Sequence, residues 1–451
     1  MTRSWQAVLL PLYLAACLVL GGSTDGVWTN LALQVGALLL IAVSLASPAE
    51  PMPRRARQLI WLSIAAVLLV LLQLVPLPPA LWTALPGRGA IASGLAMIGE
   101  PLPWMPLSLS PADTLTSASF LLPPLAVLTW VVRGGPLSLR ATVGVLLAVG
   151  FVGAVLGLRQ FGTQDLDLFF YRFSSWGRAP GFFANSAHMA MMMLASVPFL
   201  AALAIDLGDE TDTGRHGSGI AIGAALLFAT MMTLVVINAS GAVLILSAPV
   251  MFLTVALWGG RGVAWLRRLA IPLLVIALAG AIAMTFLSGR TTANNETSVA
   301  TRSVIWTHSR EALAEFGLAG SGVGSFVQIY QRFEPVATIE TTYVNHAHND
   351  YLELAIETGV PGTLLILLFL GWWWWRAAWN CWRGPNENVY ARAASIGSGA
   401  LLIHELVEYP LRSPAHAALF ALCIGLMAMV SRLSSKCRKG DLWASRHLVI
   451  D

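Results

Sequence analysis

Asn345-His346-Ala347-His348-Asn349-Asp350-Tyr351-Leu352 leads straight into an apolar run from 352 to 376, Glu357-Thr358-Gly359-Val360-Pro361-Gly362 falling in its first turns. Such a run is long enough to cross the roughly 30 Å hydrocarbon core of a bilayer, which needs about 20 residues of helix. Imidazoles, a carboxamide and carboxylates at its mouth are costly near lipid unless something uses them.

Working outward from this segment, the same pattern recurs along the chain. Of 451 residues, 57% are hydrophobic and only 11% charged, and mean hydropathy is +0.71. Twelve spans are expected, near 6–22, 26–46, 59–79, 115–132, 138–158, 182–205, 219–238, 241–258, 268–288, 352–376, 391–408 and 414–431. These are unbroken apolar runs, unlike the ten-residue alternating strands of a membrane barrel. The expected fold is therefore an all-α polytopic membrane protein, one membrane domain over 1–451, with a large outer loop at 289–351.

Basic residues collect on the cytoplasmic side of a membrane. With both termini inside, 18 of the 27 Lys and Arg residues fall on the inner face. The other nine, Arg88, Arg159, Arg172, Arg178, Arg290, Arg302, Arg310, Arg332 and Arg412, are all arginine, the side chain suited to planar, bidentate grip on oxyanions. The first apolar run lacks a small-residue cleavage site and reads as helix one. Cys17 and Cys423 fall within spans, Cys381 and Cys437 on the inner side, so no outer disulfide is expected. Trp372 to Trp375 reads as an interfacial aromatic belt.

Four outer stretches can build a site. Residues 80–114, rich in Pro and Trp, read as a lid or wall at the membrane surface. Residues 159–181 carry Arg172 and Arg178, the latter just before the helix with Asn185 and His188. They also carry Asp165-Leu166-Asp167, either a divalent-ion pair or, as favoured here, a solvated loop. In 289–351, Arg302, Trp306 and Arg310 recur at helical spacing, so one face can present two guanidinium groups. Gly320-Ser321-Gly322-Val323-Gly324-Ser325 follows; with no βαβ unit around it, it reads as a tight turn and not a dinucleotide fingerprint. His346 and His348 can share an ion on extended chain, but no third and fourth ligand is in place, so no metal is expected. His348 instead suits a general base, with Asn349 or Asp350 capping the helix that begins there. Residues 405–413 place Glu405, Glu408 and Arg412 at another helix mouth, to orient an acceptor or to pair with outer arginines.

His348-Asn349, nine residues, then Gly359-Val360-Pro361-Gly362 resembles the His-[Asn/Ser/Gln]-x9-Gly-x-x-Gly signature of the O-antigen ligase superfamily, which includes O-antigen and exopolysaccharide polymerases and protein O-oligosaccharyltransferases. The resemblance covers roughly residues 170–432 and includes Arg302 to Trp306 and the Arg178-Ala-Pro-Gly-Phe-Phe-Ala-Asn entry to helix six. It implies a GT-C-like fold in the bacterial inner membrane, with the site facing the periplasm. It further implies a metal- and cofactor-independent, inverting transfer of a glycan from undecaprenyl pyrophosphate to an acceptor hydroxyl, lipid A-core or a growing glycan. His348 would be the base, Arg302 and Arg178 pyrophosphate ligands, and His346, Asn349 and Glu408 further substrate contacts. Where family members carry Ser-Arg-Gly at the outer start of the eighth span, this chain has Asn238-Ala239-Ser240-Gly241. Arg178, Arg172 or Arg412 would then supply the absent charge. Membrane lipid is an expected partner and nucleic acid is not. The main reading outside enzymology is a transporter or flippase, which predicts ionisable groups near mid-span instead of at outer helix ends.

Overall fold

The computed structural model describes residues 6–24, 26–48, 51–135, 137–208, 215–238, 241–257, 290–336, 339, 343–382 and 389–444. The expected span 268–288 and the basic residues Arg3, Arg261, Arg267, Arg268, Arg383 and Arg446 lie outside them.

The described chain is helical nearly throughout, as lipid requires of a backbone with no water to satisfy it. Its helices are α1 (Gln6–Leu20), α2 (Val27–Ala46), α3 (Arg54–Leu72), α4 (Pro79–Trp82), α5 (Gly89–Met97), α6 (Pro111–Ser119), α7 (Leu122–Val132), α8 (Leu139–Thr163), α9 (Ser186–Gly208), α10 (Arg215–Asn238), α11 (Gly241–Leu257), α12 (Arg290–Phe316), α13 (Phe326–Phe333), α14 (Asp350–Trp382), α15 (Val389–His404) and α16 (Pro414–Ala444). Among the described residues, seven segments are long and apolar enough to cross a membrane, counting α6 and α7 as one, and α1, α11 and the first half of α16 are shorter apolar helices. Helices occupy eleven of the twelve expected segments. Several boundaries move. The third helix runs from Arg54 to Leu72 where 59–79 was expected, α8 and α14 extend to Thr163 and Trp382, past the expected ends at 158 and 376, and α15 ends at His404, so Glu405 to Ser413 form a loop beyond that helix.

At the centre stands α9, buried along almost its whole length by Ala, Met and Leu side chains and packed by α8, α10, α11 and α15. Close approach depends on small residues. Thus a Cβ on Gly397 of α15 would sit 2.8 Å from the Ala195 carbonyl of α9.

The end of the helices that carries the His348 segment is closed by two stitched segments. The excursion from 76 to 106 returns on itself through a short antiparallel pair, β1 (Pro76–Leu77) and β2 (Met105–Pro106), with Pro76 opposite Pro106. The glycine turn 320–325 holds Gly320, Gly322 and Gly324 at φ between 85° and 105°, a region open to glycine at little cost. Gly320 lies against Gly359, which breaks α14 with φ 63° and ψ −158°. A Cβ on Gly359 would meet the Gly320 nitrogen at 2.6 Å, so the Gly-Val-Pro-Gly of the signature is a helix break made for backbone contact. Arg88 is buried here, donating to the carbonyls of Pro86, Leu107 and Gly320. It is a brace for the turn, and the outer arginines are not all available to an oxyanion.

Candidate functional site

The site forms where the 343–350 segment, the 405–413 loop, α12 and the start of α14 meet. Asn349 begins α14 by accepting a hydrogen bond from the Leu352 N–H at 3.1 Å, a capping geometry. Just before it, His348 has φ 49°. Positive φ is uncommon outside glycine and costs on the order of 1 kcal/mol, so the chain turns sharply to set this imidazole. One carbonyl upstream, Ala347 accepts from the Trp306 indole N–H at 2.9 Å. Trp306 lies one turn after Arg302 on α12, and the pair pins the histidine segment from one helix face.

His348 Nδ1 is 3.2 Å from Glu408 Oε2, and Glu408 Oε1 accepts from Arg302 Nη2. Glu408 is almost fully buried while His348 and Arg302 are partly exposed. Burial raises the Glu408 carboxyl, but the hydrogen bond and charge of His348, and the charges of Arg302 and His188, hold it down at about 2. A carboxylate only accepts. Nδ1 must therefore carry a proton in this contact, and when the ring holds that proton alone the lone pair of Nε2 is the one that can accept another.

A second chain runs beside it. His346 Nδ1 is 2.9 Å from Glu353 Oε1, whose other oxygen accepts from the Ala347 N–H at 2.7 Å. Arg412 contacts Asp350 at 2.5 Å, Glu353 at 3.1 Å and Glu357 at 3.3 Å. Burial works against its cation, yet Asp350, Glu353 and Glu357 hold it well above the ordinary arginine value. Glu357 in turn accepts from the Gly324 N–H at 2.9 Å, tying the glycine turn into the same web. Tyr409 separates the two chains, its ring 4.1 Å from that of His346 and 5.2 Å from that of His348.

A cavity of about 350 Å³ opens on the His346 side of Tyr409. Its lining includes Asn185, His188, His346, Tyr409, Arg412 and Trp176. His188 is buried, and its Nε2 has no partner among the described residues.

Of the residues singled out in the sequence, the fold thus gathers His348, Glu408, Arg302, His346, Asn349 and Arg412. Arg178 instead donates to the Ile237 carbonyl at 3.1 Å near the end of α10, beside Asn238, which pairs with both the N–H and the carbonyl of Ala179. Arg172 is exposed, its guanidinium 5.6 Å from the Phe173 ring. Asp165 accepts from the Asp167 N–H in a single exposed turn. No group of three or more His, Cys, Asp or Glu side chains suited to a metal occurs among the described residues. Reading the sequence missed Tyr409 and the part played by Glu353 and Glu357. The spacing of Asp350, Glu353 and Glu357 puts three acids on one face of α14, and that pattern was the available signal; nothing marked Tyr409.

Fold and site define a polytopic membrane protein whose chemistry is gathered at one end of its helices. The O-antigen ligase family model matches residues 223–367 and supports the chain as a member of the O-antigen ligase superfamily, the family its His348 signature resembles. This match takes in Arg302, His346, His348 and the Gly359 break, but not Glu408, Tyr409 or Arg412. Glycosyltransferase-like activity on lipid-linked glycan and saccharide substrates is what that family implies in general. No curated protein matches the chain.

Proposed function

We propose that this protein is an O-antigen ligase-like glycosyltransferase of the bacterial inner membrane, moving a glycan from undecaprenyl pyrophosphate to a hydroxyl of lipid A-core at the periplasmic face. The observation that carries this reading is the chain Arg302–Glu408–His348, which ends in an imidazole nitrogen free to accept a proton. His348 Nε2 takes the proton of the acceptor hydroxyl as that oxygen attacks the anomeric carbon. The bond from that carbon to the phosphate oxygen breaks with inversion, and the electron pair leaves on undecaprenyl pyrophosphate. Glu408 stabilises the imidazolium as it forms. Arg302, whose Nη2 meets Glu408, turns its remaining donors to the charge developing on the pyrophosphate, a preorganised term commonly worth about 3 to 4 kcal/mol per donor. The donor already holds its energy in the phosphate-linked sugar, so positioning two substrates on rigid helices supplies the rest. With arginines doing this work the reaction needs no metal.

The test is reconstitution. Protein in lipid is given an undecaprenyl-pyrophosphate oligosaccharide and lipid A-core, and glycan transferred is compared with undecaprenyl pyrophosphate released. Equal amounts are expected. Elongation of the lipid-linked glycan without lipid A-core would make the protein a polymerase. Donor crossing the bilayer intact, with nothing transferred, would make it a transporter.

A further inference from the structure

We infer that the cavity beside Tyr409 is a subsite for one neutral pyranose ring of the saccharide acceptor, walled off from the arginine that meets the pyrophosphate. The assignment to the acceptor rests on the transferase reading; the assignment to a neutral sugar rests on the cavity alone.

At about 350 Å³ the cavity lies at the small end of ligand pockets, a size for a single ring and not for a lipid-linked chain. Its chemistry is that of a sugar. Trp176 and Phe173 stand on its lining with 58% and 71% of their surfaces exposed, two aromatic faces open to a ligand. The C–H face of a pyranose stacks on such rings. Around them are neutral groups: the Asn185 and Asn345 amides, serine hydroxyls, and His188, whose Nε2 is buried and unpartnered. A buried polar atom without a partner is destabilising, and a sugar hydroxyl in the cavity would satisfy it.

An anion is the rival occupant, since Arg412 is also on the lining. But Arg412 is the single cation on the lining among the described residues, and its guanidinium is already met by Asp350, Glu353 and Glu357. The one guanidinium on the lining is thus engaged by acidic side chains behind it and leaves little positive charge to hold a pyrophosphate here. Arg302 and His348 are absent from the lining, and the Tyr409 ring stands between the cavity and His348, 5.2 Å from that imidazole. The ring held here is therefore a neighbour of the reacting sugar within the acceptor, and the reacting hydroxyl is carried past Tyr409 to His348.

The experiment is saturation-transfer NMR on the full chain in lipid nanodiscs, using neutral methyl hexopyranosides and methyl 6-deoxyhexopyranosides as probes. At least one is expected to receive saturation on its ring C–H protons. Trp176→Ala, a change at an exposed side chain, should weaken that probe about five-fold, the scale of one aromatic contact. Thr24→Trp, which fills the cavity mouth, should abolish binding, and inorganic pyrophosphate should not compete. Binding unchanged in both variants, displacement by pyrophosphate, or no probe bound would overturn the assignment. Should the wild type bind sugars in this Trp176-dependent way yet transfer no glycan, the transferase reading falls and the sugar subsite stands. Transfer with no Trp176 effect on the acceptor KM sinks the subsite alone.

Discussion

Two arginine–carboxylate–histidine chains run side by side at one end of the helices and differ in how completely each is tied down. Arg302 meets one carboxylate, Glu408, which reaches His348. Arg412 meets three, of which Glu353 reaches His346. The first chain begins on α12, outside the central packing around α9, and ends on an imidazole in a strained turn. The second is knotted into α14 and, through Glu357, into the glycine turn. Arg412 is held by three acidic side chains and cannot turn to a substrate without breaking all three contacts. Arg302 meets the single carboxylate of Glu408 and is partly exposed, so it can keep that contact and still offer donors to a substrate. The contrast supports a chemical role for the Arg302 chain and a scaffolding role for the Arg412 chain, although the two look alike in sequence.

The sharpest way to break this comparison is to remove each imidazole in turn. His348→Ala should leave the protein inserted and folded while lowering transfer by about 10²- to 10⁴-fold, the usual contribution of a positioned base. His346→Ala should be much milder. Equal losses at the two positions, restored by added zinc, would point to a shared metal and end the division proposed here.

Exchanging the arginines comes next. Arg302→Lys should fail nearly as badly as Arg302→Ala, because an ammonium cannot grip Glu408 and a pyrophosphate in one plane, while the lysine variant, which keeps a cation beside buried Glu408, should melt closer to the wild type than the alanine variant. Arg412→Lys should instead lower the yield of folded protein, since three carboxylates lose their planar partner. Size-exclusion profiles in detergent read the second effect and transfer assays the first; full activity in Arg302→Lys would remove that residue from the mechanism.

Glu408 gives a smaller, pH-dependent signature. Its carboxyl is held at about 2 in the folded chain, below the roughly 4.3 of an unfolded glutamate. A depressed acid contributes stability that is complete above the unfolded value and is lost as pH falls from there through the folded one. Melting temperatures of wild type and Glu408→Gln, measured from pH 6 downward, should therefore converge as the medium is acidified below about 4. A gap that stays constant would mean that His348 and Arg302 do not hold this carboxylate in the folded state.

The smallest effect is expected at Asp165 and Asp167, where one side chain simply closes its own turn. The double variant Asp165→Asn, Asp167→Asn should transfer at close to the wild-type rate, with or without EDTA. Chelation that stops the reaction, with rescue by Mg²⁺, would transfer the leaving-group work from arginine to a divalent ion.

How much of this was legible beforehand follows from the range of the forces involved. Hydrophobic run length is a local property, so apolar stretches such as 182–205 and 352–376 announced helices without any knowledge of neighbours, and the charge asymmetry between loops depends only on counting. The signature around His348 was likewise legible, because a proton acceptor, a capping Asn349 and a break at Gly359 lie within 15 residues of one another. Boundaries were less so. Nothing in Leu401 to Glu408 says that α15 must end at His404, since that end is set by the loop folding back, with the Glu405 carbonyl accepting the Asp350 N–H.

By itself, then, the sequence determined a membrane-bound helical protein with a histidine signature at one helix mouth and several arginines in the loops near it. Only the tertiary structure decided which arginine faces which acid. Arg302 and Glu408 are 106 positions apart, and Arg412 and Glu357 are 55. Every outer arginine carries the same charge in the sequence, and Coulomb energy is settled by distance and burial, which chain order does not contain. Packing brought Glu408 to His348, bound Arg412 to three acids, turned Arg88 inward as a brace and left Arg178 at the end of α10.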